Sequence, residues 1–145
     1  MQLPSYVVDT SVAVKWYVER DEANVKEALR LLDCFKNRRC ILRAPELLLF
    51  EVANALASSR AQPSVLLEAL DRLRALEIEL AGVRWATMTK AVEIALACNA
   101  TVYDSYFLAL ALETESVLVT ADRAFLRRAR HYPGITSLES LRLPG

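Results

Sequence analysis

Four acidic residues stand where a charge is out of keeping with its surroundings. Asp9 follows the apolar run Tyr6 to Val8 in YVVDTS, Asp104 follows Thr101 to Tyr103 in TVYDSY, and Asp122 closes VLVTAD. Glu51 lies inside LLLFEVANAL, where no Lys or Arg occurs between Ala44 and Ser59. An ionised carboxylate isolated in apolar surroundings costs on the order of several kcal/mol unless it is paired or binds a cation. Carboxylates gathered together repel one another and raise their own pKa values unless a cation neutralises them. All-oxygen ligation suits hard Mg²⁺ or Mn²⁺ rather than zinc. Each acid also has a simpler reading. An aspartate before a helix is usually an N-cap, which covers Asp104 and Asp122 taken singly. Asp9 can form an Asx-turn, and Glu51 can face water on a polar stripe. Asn54, three residues on, shares a helical face with Glu51 and can orient it.

The elements that would position these residues follow from periodicity. Short, largely apolar strands are expected at Tyr6 to Val8, Ile41 to Arg43, Thr101 to Tyr103 and Val117 to Val119. An alternating strand spans Glu77 to Val83, and a last one Ile135 to Leu138. Between them run helices: Ser11 to Val18, Glu22 to Phe35, Glu46 to Ser59, Val65 to Leu76, Thr87 to Ala97, Ser105 to Glu113 and Arg123 to Arg130. Val25, Ala28, Leu29, Leu32 and Phe35 mark the inner face of the second helix. The helix carrying Glu51 is apolar on nearly every side, so burial is expected. Largely apolar strands alternating with helices predict an α/β fold. It is a three-layer α/β/α sandwich whose mainly parallel central sheet has about five short strands. Ligands of such sheets bind at the carboxyl ends of the strands. On this reading three strands each deliver an aspartate to that edge.

Composition bounds the rest. The 145 residues are 54% hydrophobic with no net charge, which fits one domain, 1–145, and gives no global pull toward nucleic acid or membrane. The N-terminus lacks a signal-peptide pattern and no apolar run spans a bilayer, so a soluble, cytoplasmic protein is expected. Cys34, Cys40 and Cys98 read as free or buried thiols, with a Cys34–Cys40 disulfide left open. Three glycines cannot build a glycine-rich phosphate loop. A receiver domain needs an acidic pair at the first strand and a lysine after the last core strand. A haloacid-dehalogenase-type phosphatase needs a second aspartate where Ser11 stands.

The segments VVDTSVAVKWYV, PELLLFEVANAL, TVYDSYFLALA and VLVTADRAFL, in that order, resemble the PIN-domain ribonucleases, most closely VapC-type toxins of toxin–antitoxin pairs. The resemblance implies that Asp9, Glu51, Asp104 and Asp122 form the catalytic acidic quartet. Asp9 and Asp104 would be the most direct ligands of Mg²⁺ or Mn²⁺, with Ser11 and Thr120 supporting the acids through hydroxyls. It implies hydrolysis of RNA phosphodiester bonds, an antitoxin protein docked across helices such as Val65 to Leu76, and a homodimer. The alternative within the fold is a non-catalytic PIN-type module for RNA binding or assembly. A mechanism using two histidines is excluded by count, since His131 stands alone. Local basic runs, Lys36 to Arg39 and Arg123 with Arg127, Arg128 and Arg130, are candidates for tracking RNA, Arg123 foremost because it adjoins Asp122. Trp16, Tyr17 and Tyr106 are candidates for base stacking, with core packing as the plainer role.

Overall fold

The computed structural model describes residues 2–17 and 23–145. Five strands form one all-parallel sheet: β1 (Ser5–Val8), β2 (Ile41–Pro45), β3 (Glu79–Ala81), β4 (Val117–Thr120) and β5 (Ile135–Ser137). Their spatial order is β3-β2-β1-β4-β5, so β1 lies at the centre. The chain builds outward from β1 through β2 and β3, then crosses to the other side for β4 and β5. The order therefore reverses between β1 and β4, where Val8 stands opposite Val119. A crevice at the carboxyl ends of the strands is expected at that point.

The helices are α1 (Thr10–Ala13), extended by a 3₁₀ turn over Val14–Trp16, α2 (Val25–Lys36), α3 (Leu47–Ser58), α4 (Pro63–Ala75), α5 (Trp85–Cys98), α6 (Val102–Glu113) and α7 (Arg123–Arg128). The expected helix limits at Val18 and Glu22 lie outside the described residues. Together with the sheet these elements make the α/β sandwich anticipated above. Helix α6 crosses β1, β2 and β4 and is buried from Ser105 to Ala111. Phe107, Leu108, Leu118, Val7 and Val8 form the centre of the core with Leu31 and Leu42. Among the described residues no single helix is long and apolar enough to cross a membrane.

Several expectations need correction. Thr101 to Tyr103 is not a strand. Thr101 caps α6, its hydroxyl accepting the Asp104 N–H at 3.0 Å, and Val102 and Tyr103 already belong to the helix. The β-favouring side chains of that tripeptide are overruled by a Thr-x-x-Asp cap, a local hydrogen bond that fixes the first turn. Helix α3 is only half covered: Leu48, Val52 and Leu56 are buried, while Phe50 is 76% exposed. In α2 the buried stripe is Ala28, Leu31, Leu32 and Cys34, and Leu29 faces outward. The face of α4 follows expectation, with Ala69 and Leu73 buried and Leu66, Leu70 and Leu76 packed beside them. All three cysteines are free and buried, so no Cys34–Cys40 disulfide forms. Burial and the adjacent Cys34 thiol push Cys40 up to about 12, leaving it protonated and unreactive at neutral pH.

Candidate active site

Asp9 ends β1 and caps α1. Its Oδ1 accepts the Val12 N–H at 3.3 Å and the Ser11 hydroxyl at 2.5 Å. The same Ser11 oxygen accepts the Ala121 N–H at 2.8 Å and lies 3.4 Å from the Thr120 hydroxyl. Thr120 in turn accepts the Asp122 N–H at 3.0 Å. These bonds stitch the end of β1 to the end of β4 and hold Asp9 and Asp122 on either side of the topological switch. Asp122 caps α7, its Oδ1 accepting the Phe125 N–H at 3.0 Å. The supporting hydroxyls anticipated at Ser11 and Thr120 are thus in place.

Asp104 arrives by a different route. It sits in the first turn of α6, where the unpaired N–H groups of the helix favour negative charge. Two of the three aspartates therefore follow strands, and the third comes from a helix start. Asp104 is no cap; Thr101 does that work. Glu51 reaches the site from α3, and the Thr10 hydroxyl donates to its Oε1 at 2.6 Å. Asn54 is exposed and makes no such bond. Thr10 is the positioning residue that sequence reasoning missed; its only signal was a hydroxyl directly after Asp9.

The electrostatics tie the acids together. Burial, above all, raises Asp9 from 3.8 to about 6; bonds from Ser11, Thr120 and Val12 oppose this, and the charge of Asp104 adds to it. Asp104 is raised by burial and then by the charge of Asp122. Asp9 thus feels Asp104, and Asp104 feels Asp122: caps though two of them are, they share one field. No group of three or more His, Cys, Asp or Glu side chains among the described residues is drawn together as a ready-made metal cage. The donor set is nonetheless all oxygen, and its charges are unfavourable in their own company. A hard divalent cation at Asp9 and Asp104 would relieve both, so the residues present fit Mg²⁺ or Mn²⁺.

Other candidates fall outside. His131 is exposed and its ring lies 4.5 Å from that of Tyr132. Trp16 donates its indole N–H to the Ala28 carbonyl at 2.8 Å and packs on the core, and Tyr106 is buried. Arg123 is exposed beside Asp122 but paired with Glu139 at 2.8 Å. Lys36 and Arg38 edge an open depression of about 780 Å³ that also includes Trp16, Tyr17 and Arg72.

The PIN domain family model matches residues 6–131. No curated protein matches the chain. Among solved structures, a protein of Pyrobaculum aerophilum superposes with a TM-score of 0.68 at 20% identity, covering 94% of this chain and 85% of that one. A toxin–antitoxin complex from Klebsiella pneumoniae gives 0.68 at 16% identity, covering 92% and 97%. DNA-bound VapBC from Salmonella typhimurium gives 0.65 at 17%, covering 94% and 99%. At these identities the likeness is one of fold.

Proposed function

The chain belongs to the PIN domain family, and from that premise we propose that it is a metal-dependent endoribonuclease, the toxin of a VapC-type pair. The observation that supports this reading is the electrostatic coupling of Asp9 with Asp104 and of Asp104 with Asp122, with Glu51 hydrogen-bonded to Thr10, the residue after Asp9. Asp9 and Asp104 are the proposed direct ligands of Mg²⁺ or Mn²⁺, and Glu51 and Asp122 complete the site. The chemistry such an ion supplies when bound is Lewis acidity, toward water and toward the charge that develops on a phosphodiester.

The chain's own residues do the rest. Ser11 and Thr120 fix the rotamer of Asp9 and shield part of its charge through hydrogen bonds. Asp104 presents a carboxylate from a helix start that tolerates negative charge. Burial raises Asp9 to about 6, so a proton would compete with a cation for it in the neutral range and metal loading would weaken as pH falls. No histidine takes part.

Two apolar surfaces support the partner side of the proposal. Phe50 on α3, and Val65 and Leu67 on α4, are exposed apolar side chains that an antitoxin segment would cover. On α5, Trp85 is 88% and Leu96 80% exposed, with Val92 between them. Their spacing makes one outward stripe. A helix apolar on its outer as well as its inner face ordinarily packs on both, and a second copy of this chain fits the outer stripe.

The test is cleavage of single-stranded RNA with and without Mn²⁺, repeated with Asp9→Asn. Metal-dependent cleavage lost in the variant supports the enzyme. Equal cleavage by both forms means contamination. RNA bound but never cut favours the non-catalytic module.

A further inference from the structure

At the carboxyl end of β4 lies a cavity of about 270 Å³ lined by Asn24, Asp122, Arg123, Arg127, Ser137 and Glu139 among others. One carboxylate oxygen organises it. Glu139 Oε1 accepts from Arg123 Nη2 at 2.8 Å and from Asn24 Nδ2 at 3.1 Å. A guanidinium and a side-chain amide thus converge on a single oxyanion, at the rim of a site that is otherwise acidic. The pair is open to water, with Arg123 74% and Glu139 51% exposed in their side chains. Solvent screening makes such a contact weak and readily exchanged. One turn along α7, Arg127 lines the same cavity and has no acidic partner among the described residues. Two arginines therefore face a space that needs only one of them to hold Glu139.

The chemistry recognised here is that of an anion with several equivalent oxygens. Guanidinium groups match phosphate through paired N–H donors, and the charge-assisted bond to a phosphate is stronger than that to an amide or water. Resting on the ribonuclease reading, we propose that this cavity seats a backbone phosphate of the RNA strand next to the scissile one. Glu139 holds that seat as an internal competitor until RNA displaces it. Arg127 is the standing phosphate ligand; Arg123 becomes the second once Glu139 leaves. Binding here is to the backbone, so it positions the strand without reading its sequence.

The experiment separates this from cleavage by using the Asp9→Asn protein with fluorescently labelled single-stranded RNA, followed by anisotropy across a range of salt. Glu139→Gln removes the competitor and is expected to tighten binding several-fold, with the log–log salt slope steeper by about 0.7, one extra phosphate contact on a single strand. Arg127→Gln is expected to weaken binding several-fold and to flatten the slope by about the same amount. Arg123→Gln in the Glu139→Gln background should cancel the gain. Unchanged or weaker binding by Glu139→Gln, in protein whose melting temperature is unaltered, overturns the proposal and leaves the contact as a staple for the C-terminal segment. Failure of the parent protein to cleave RNA, or equal cleavage by parent and Asp9→Asn, would instead defeat the ribonuclease reading, a result this binding series does not mimic.

Discussion

Replacing Asp9 by Asn should make the metal-free protein more stable near neutral pH while abolishing its activity. Burial raises Asp9 from 3.8 to about 6 in the folded chain. Between these values the native state keeps the proton that the unfolded chain releases, so stability falls as pH rises through that window. The loss is absent below about pH 4 and complete above about pH 6, and the shift corresponds to about 3 kcal/mol. Asn keeps an oxygen for the Val12 N–H and the Ser11 hydroxyl, but bonds to a neutral acceptor are weaker. A net gain of about 1–3 kcal/mol is therefore expected. The assay is urea denaturation of both proteins in chelator, at about pH 7.5 and again near pH 4, where the two should converge. Saturating Mn²⁺ should stabilise only the wild type, reversing the order at the higher pH. A variant no more stable at the higher pH, or equally favoured at both, would refute the claim that Asp9 is held at a cost which a cation relieves.

Other outcomes follow from single contacts. Thr10→Val removes the hydroxyl on Glu51 with little change in volume; cleavage should fall about 10–100-fold at an unchanged melting temperature, and Thr10→Ser should restore it. Thr101→Ala deletes the cap of α6 and should cost about 1 kcal/mol in denaturant titrations, with cleavage reduced because the turn bearing Asp104 frays. Paired substitution of Trp85 and Leu96 by Lys places charges on the exposed stripe of α5; light scattering should then report a monomer where the wild type is a dimer, and a wild-type monomer would sink that surface.

Much of this was legible in the sequence because parallel strands buried on both faces are continuous apolar runs. YVV and VLV announce β1 and β4, and an acid after each marks the ligand edge. The same rule misplaced Asp104, since Thr-Val-Tyr carries strand-like side chains and only the hydrogen bond of Thr101 to the Asp104 amide decides for helix. Periodicity also overstated the burial of α3. An apolar composition tells how much surface seeks cover, not whether this chain supplies it, and Phe50 remains open to water. The Thr10–Glu51 bond was beyond reach, because it joins residues 41 apart whose meeting depends on how α3 lies against α1. The Glu139 contact with Asn24 spans 115 positions and leaves no local trace at all.

The hydroxyl bridge from Ser11 to the Ala121 amide joins residues 110 positions apart in the sequence. Central β1 cannot acquire its β4 neighbour until the ribosome has released most of the message's product. Any truncated product ending before residue 120 therefore lacks Asp122 and the Ala121 amide that ties Ser11 in place beside Asp9. Asp9 and Asp122 come to one edge of the sheet only once β4 has been synthesised and has paired with β1.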